Sequence, residues 1–194
     1  MPDIPQFDEA YYHRFYHDPK TRAASPASAK RQAAFICAYL KYLELPVKRV
    51  LDVGCGVGRV LNAVGAAYPR AKLQGVEWSE YLCNRYGWTQ GSVVDYEDRP
   101  YDLVICNDVL AYLNKGDCQA AIDNLARLTR GALFLGVITH EDLGVLDEQR
   151  TDPEQYLRKR SWYLRRLSPH FTSVGGGLYL KKPAAVPLWA LDAL

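Results

Sequence analysis

Between Val50 and Leu61 the sequence reads V-L-D-V-G-C-G-V-G-R-V-L. An apolar run ends in an acid, Asp52; glycines follow at positions 54, 56 and 58, and apolar helical spacing then resumes. That order is strand, tight turn, helix. Glycine lacks a Cβ and accepts positive φ, so such a turn lets a ligand approach the backbone. The helix after it offers free N–H groups and the positive end of its dipole. About 20 residues on, the run K-L-Q-G-V-E ends in Glu77, a position from which a carboxylate accepts hydrogen bonds from ribose hydroxyls. Turn and acid together point to a nucleoside ligand. The dinucleotide fingerprint G-x-G-x-x-G, aligned on Gly54 and Gly56, requires a glycine at 59; Arg59 stands there, and the third glycine comes one residue early.

Further polar residues fall where strands should end. Asn107 is the first polar residue after the run Y-D-L-V-I-C, followed by Asp108; ligands of parallel α/β sheets sit outside the carboxyl ends of strands. After A-L-F-L-G-V-I come Thr139, His140, Glu141 and Asp142, and His140 is the candidate general base because imidazole titrates near neutrality. Near the amino end Tyr11, Tyr12, Phe15 and Tyr16 cluster with His13 and His17. An aromatic cage of this kind attracts an organic cation.

The elements needed to hold these residues can be read from periodicity. Helices are expected over 7–17, 29–44, from the glycine turn to about Tyr68, over Ser79–Tyr86, Asp117–Arg130 (stopped by Gly131) and Pro153–Ser168. Strands are expected over 48–53, 72–77, 91–94, 101–106 and 132–138, with a hairpin of 170–174 and 178–182 around Gly175-Gly176-Gly177. Strands alternating with helices imply an α/β, doubly wound, Rossmann-like sheet with helices on both faces, mostly parallel, with the hairpin as an antiparallel edge.

The acid–glycine segment resembles motif I of the class I S-adenosylmethionine (SAM) dependent methyltransferases: apolar, acid, apolar, then G-x-G-x-G. The resemblance covers roughly residues 48–182 and implies their seven-stranded sheet, with SAM as cofactor and S-adenosylhomocysteine as product. SAM carries an ammonium and a sulfonium, which favour nearby carboxylates where a pyrophosphate would not. By the resemblance Asp52 holds the turn and faces the methionine end, and Gly54, Cys55 and Gly56 form the turn itself. Glu77 takes the ribose, Trp78 packs on adenine, Asp95 accepts from the adenine amino group, and Val94 and Tyr96 flank the ring. Asn107 faces the methionine moiety or the methyl group, and the N-terminal aromatics, Tyr12 among them, form a lid. Candidate catalytic residues are therefore His140, Asn107 and Tyr12. The segment after the fourth strand is not N-P-P-Y or D-P-P-Y, which argues against methylation of exocyclic amines on DNA bases.

Bulk properties set limits. Net charge is +2, too small to argue for nucleic acid, and residues 158–166 (R-K-R-S-W-Y-L-R-R) read as a solvated basic face or as a site for an anionic acceptor. Five cysteines include no C-x-x-C pair, which suits a reducing cytoplasm and neither a disulfide framework nor a metal site. The acidic, proline-broken start is unlike a signal peptide, and no apolar run reaches membrane-spanning length. The expected organisation is an N-terminal lid (1–46), a SAM-binding core (47–183) and an apolar tail (184–194), whose Leu188, Trp189 and Leu191 could support a homodimer rather than a monomer. The expected function is SAM-dependent methyl transfer to an oxygen or nitrogen of a small-molecule acceptor. Its rivals are SAM cyclisation on the same fold, an RNA or protein methyltransferase, and a non-catalytic partner subunit.

Overall fold

The computed structural model describes residues 7–23, 25–147 and 150–188. Helix α1 (Glu9–Tyr12) runs into a π-helical turn, His13–His17. Then follow α2 (Pro26–Tyr42), β1 (Arg49–Val53), α3 (Arg59–Ala67), β2 (Lys72–Glu77), α4 (Glu80–Tyr86) and β3 (Thr89–Gln90). The chain continues through β4 (Tyr101–Asn107), α5 (Lys115–Leu128), β5 (Thr129–Gly136), α6 (Arg160–Leu167), β6 (Phe171–Gly175) and β7 (Leu178–Lys181). The seven strands form one sheet in the order β3-β2-β1-β4-β5-β7-β6. Strands β3, β2, β1, β4 and β5 pair in parallel, and β7 pairs antiparallel with both β5 and β6.

Alternation along the strands builds two cores. Leu51, Val53, Val104, Cys106, Leu133 and Leu135 pack against Cys118, Ala121, Ile122 and Leu125 of α5 and Tyr163 and Leu167 of α6. Their neighbours Val50, Leu103, Ile105, Ala132 and Phe134 pack against Ala33, Ile36, Cys37 and Leu40 of α2 and Leu61 and Val64 of α3. Successive strand residues point to opposite faces, so strands covered on both sides must be apolar throughout. No helix among the described residues is long and apolar enough to cross a membrane.

Several boundaries differ from the sequence expectation. Helix α2 starts three residues early: Ser25 caps it through its hydroxyl, and Pro26 occupies the first turn, where a missing N–H costs nothing. The third strand is the two-residue β3 rather than 91–94, because Ser92 folds the chain into a turn, accepting from the Val94, Asp95 and Tyr96 N–H groups. Helix α5 ends at Leu128 and passes straight into β5. Gly131 therefore stops no helix; it lies inside β5, where an added Cβ would meet the Asp102 carbonyl oxygen at 2.4 Å. Residues 153–159 are not helical: the Tyr156 N–H donates to Ala111 O (2.7 Å), and Arg158 bridges to Thr139. Helical spacing turns Ala120, Ala121, Leu125 and Leu128 of α5 inward; the last three are buried, but Ala120 is exposed and Cys118 takes its inward place. Leu188 packs partly against the second core, while Trp189 and Leu191 lie outside the described residues.

Candidate functional site

Strand β1 delivers the chain into the glycine turn. Gly54, Gly56 and Gly58 all take positive φ (+71°, +54° and +73°), a conformation costly to residues bearing a Cβ. The turn is anchored to β2, with the Gly54 and Cys55 N–H groups donating to Val76 O at 2.8 and 3.2 Å. Gly58 caps α3 yet offers no side chain. Asp52, 3% exposed at the end of β1, accepts from the Leu61 N–H in the first turn of α3. Burial, then the Glu77 charge, raise its carboxyl to about 7 against that hydrogen bond. Burial and the Asp52 and Glu77 charges also hold the Cys55 thiol above its ordinary range. An indole that sequence reasoning passed over, Trp88, braces the turn from behind, donating to Gly56 O at 2.9 Å.

At the end of β2, Glu77 is 5% exposed. One carboxylate oxygen accepts from the Gly56 N–H (2.7 Å), the other from the Trp78 and Ser79 N–H groups (2.8 and 3.0 Å) and from the Tyr12 hydroxyl at 3.5 Å. Trp78 is 53% exposed beside it. The N-terminal aromatic segment lies across this edge of the sheet, tethered at four places. Ser79 Oγ donates to Phe7 O (2.6 Å) and Arg59 to Tyr16 O (2.8 Å), the Tyr11 and Tyr112 hydroxyls meet at 2.9 Å, and Tyr12 reaches Glu77. Tyr16, in the π-helical turn, rests its ring against Gly56, 3.3 Å from where a Cβ would stand. Such turns recur at functional sites. Burial and the Asp108, Glu77, Tyr112 and Asp52 charges hold its phenol well above the ordinary range.

Asn107 ends β4 with its carboxamide lying over β5, where a Cβ on Gly136 would sit 2.1 Å from Oδ1. That oxygen accepts from Gln32 Nε2 (2.9 Å), and Nδ2 donates to Asp108 (2.8 Å), so Asn107 caps no helix. Asp108 has φ +57° and is exposed to solvent along one side, while the protein around it raises its carboxyl to about 6 against the Asn107 hydrogen bond. The loop carrying Val94, Asp95 and Tyr96 is pinned from α5. Buried Asn124 donates to Val93 O and Tyr96 O (both 3.0 Å), and Arg127 also donates to Tyr96 O (2.7 Å). Asn124 was invisible as a site residue, being one polar position on an otherwise ordinary amphipathic helix. Asp95 itself is exposed in the turn. His140 is exposed in a single helical turn after β5, its N–H donating to Arg158 O (2.9 Å), and the structure gives its imidazole no bond to Asn107, Glu77 or Tyr12. The Tyr112 hydroxyl donates to buried Asp152 (3.1 Å), in a segment the sequence suggested for the acceptor pocket, and accepts from Gln155 (3.2 Å), which the sequence did not single out.

The donor set fits SAM. Asp52, Glu77 and Asp108 form no ion pair among the described residues, and Asp52 is held partly protonated near neutrality by lack of solvent and by the Glu77 charge beside it. A ligand bearing a sulfonium and an ammonium supplies that charge beside the glycine turn, over which the Val109 and Tyr16 side chains lie.

Comparison with known proteins agrees with this geometry. A family model described as a methyltransferase domain matches residues 16–175. Magnesium protoporphyrin IX methyltransferase from Synechocystis PCC 6803, solved with bound SAM, superposes with a TM-score of 0.63 over 89% of this chain and 90% of that one, at 20% identity. A SAM-dependent methyltransferase from Clostridium acetobutylicum ATCC 824 superposes with a TM-score of 0.63 over 90% and 97%, at 13% identity. The malonyl-[acyl-carrier protein] O-methyltransferase of Legionella pneumophila is 30% identical over 83 residues, which span 37% of this chain and only 29% of that relative's length. The structures carry the fold, and the family model, covering most of the chain, carries the membership. The chain belongs to the methyltransferase-domain family, as a class I member whose methyl donor is S-adenosylmethionine.

Proposed function

We propose that this protein transfers the methyl group of SAM directly to an oxygen or nitrogen of a small-molecule acceptor. When bound, SAM supplies an electrophilic methyl on a positively charged sulfur. The chain's part is to bind, align and exclude water. Asp52, the turn Gly54-Cys55-Gly56 and Asp108 hold the cationic end. Glu77 exchanges its bond from the Gly56 N–H for ribose hydroxyls, Trp78 covers the base, and Val94, Asp95 and Tyr96 read its edge. Asn107, fixed by Gln32, orients the reacting end, and Tyr12 positions Glu77. His140 is the candidate to take the acceptor's proton where the nucleophile needs it. In-line transfer draws most of its rate from alignment and desolvation, so a base is secondary.

The observation that carries the small-molecule reading is the aromatic segment of residues 7–16 tethered across the carboxyl ends of β1 and β2. A crevice roofed by its own chain favours a compact acceptor over a polymer. Within the N-terminal region expected over 1–46, the aromatic segment 7–17 then acts as the lid, while α2 packs on the sheet of a core that runs to about residue 183, in a monomer or homodimer. The five cysteines, all buried and unpaired, suit a cytoplasmic setting.

The test is calorimetric titration with SAM, S-adenosylhomocysteine and NAD, with Glu77→Ala alongside. Both adenosyl ligands are expected to bind at micromolar concentration and to lose at least about tenfold in the variant, the worth of a charge-assisted bond. Binding of NAD alone would remove the reading. Labelled-methyl transfer to a panel of small hydroxyl and amine compounds then identifies the acceptor class.

A further inference from the structure

Beside the crevice, on the same edge of the sheet, lies a groove of about 670 Å³ that the transfer chemistry above does not use. Its walls include Lys115, Tyr156, Arg158, Lys159, Trp162 and Arg165. Its position follows from topology. Helix α5 leaves β4 and α6 leads to β6, which runs in the direction of β5, so both helices begin at the carboxyl edge of the strands.

The cations differ in their duties. Arg158 is structural: its guanidinium donates to Leu110 O (3.3 Å), Leu113 O, Tyr156 O (3.1 Å) and the Tyr163 hydroxyl (3.4 Å), and lies over the Tyr156 and Trp162 rings. Arg166, behind the groove, stacks on Trp162 at 3.7 Å. Lys115, Lys159 and Arg165 are exposed and form no ion pair among the described residues. The acid at the start of α6, Glu141, is occupied by the Arg160 N–H (2.8 Å) and is not part of the groove wall. Three unpaired cations therefore face one concavity whose remaining wall is aromatic.

The segment joining groove to crevice is short. Residues 110–113 bind Arg158 and the Tyr156 N–H on the groove side, and through Tyr112 they meet Tyr11 and Asp152 on the crevice side. We infer that this groove is a second binding site, holding the phosphate or carboxylate of an organic anion while the rest of that molecule reaches the transfer crevice. The inference rests on the transfer reading above. Its volume is that of a small-ligand site. Cations of one sign gathered in a concavity focus their field on an anion, and the aromatic walls cover the uncharged part of the ligand.

The test uses the full chain and phenyl phosphate as probe, titrated by calorimetry beside inorganic phosphate, a uridine oligonucleotide and, separately, SAM. Wild type is expected to bind phenyl phosphate saturably and more tightly than inorganic phosphate. The surface double variant Lys159→Ala/Arg165→Ala is expected to lose at least about tenfold, the worth of one or two charge-assisted bonds, while SAM affinity is kept. Three outcomes overturn the site: no saturable binding by protein that binds SAM, equal binding by wild type and double variant, or equal affinity for inorganic and phenyl phosphate. Charge-dependent binding of the oligonucleotide without binding of phenyl phosphate overturns it in favour of a nucleic-acid surface. Charge-dependent binding of phenyl phosphate by protein that ignores SAM supports the groove and removes the transfer reading instead.

Discussion

Asp52 and Asp108 are carboxylates whose protonation the ligand should control. In the free protein they titrate at about 7 and about 6, each raised chiefly by burial. A bound cation favours their ionised forms, so SAM binding should release protons at pH 5.5 and tighten as pH rises to 8, by about tenfold or more. Calorimetry in buffers of different ionisation heat reads both quantities; a flat profile counts against these carboxylates as the cation's partners. The glycines separate conformational from steric cost. At Gly54 (φ +71°) a Cβ would lie 2.3 Å from Val109 Cγ2, whereas at Gly87 (φ +72°) it meets nothing within 4 Å. Gly87→Ala should cost about 1 kcal/mol from backbone strain. Gly54→Ala should cost about 2–4 kcal/mol, because overpacking adds to the same strain. Urea unfolding of the two variants makes the comparison, and equal losses would mean that Val109 simply moves aside.

At the scale of elements, two devices hold the site, and each can be removed. The first is the pin from α5 to the loop of residues 93–96. Asn124→Ala strands the Val93 carbonyl, leaves the Tyr96 carbonyl with Arg127 alone, and should cost about 1–3 kcal/mol in denaturant unfolding. Because the proposed function sets that loop beside the adenine, SAM affinity should fall as well, while the wild-type fold persists by circular dichroism. The second is the π-helical turn that sets Tyr16 on Gly56. Tyr16→Ala should weaken SAM about three- to thirtyfold, the range of a partly desolvated cation–π contact, and Tyr16→Phe should retain most of the affinity. Loss of equal size in both variants would assign the effect to the hydroxyl rather than to the ring.

For the whole molecule the same carboxylates shape stability. Asp52 and Asp108 are raised above 3.8, so between about pH 4 and 7 the folded state keeps protons that the unfolded chain has released. Their contribution therefore falls as pH rises through that window. Melting temperature against pH should decline less for Asp52→Asn than for wild type; parallel curves would show that Asp52 does not titrate there. Saturating SAM should offset the decline, adding about 2.7 kcal/mol at a hundred times its dissociation constant.

Much of this was legible in the chain alone. The acid–glycine segment, Glu77 and the alternation of apolar runs with helical spacing are local signals: each depends on the period of one element or the φ of one turn, so residue type and spacing suffice. They determined the parallel sheet and the family. What the sequence left open depends on contacts between distant segments. Gly131 reads as a helix stop and is instead a close approach of β5 to Asp102. Residues 153–159 read as helix and are instead pulled straight by Ala111 and Thr139. Asn124, Trp88, Gln32 and Tyr112 acquire their places only when helices and loops far apart in the chain meet over the strand ends. No local pattern encodes such a partner, because its position is set by the packing of the whole sheet; that packing also gathered Lys115, Lys159 and Arg165 around one groove.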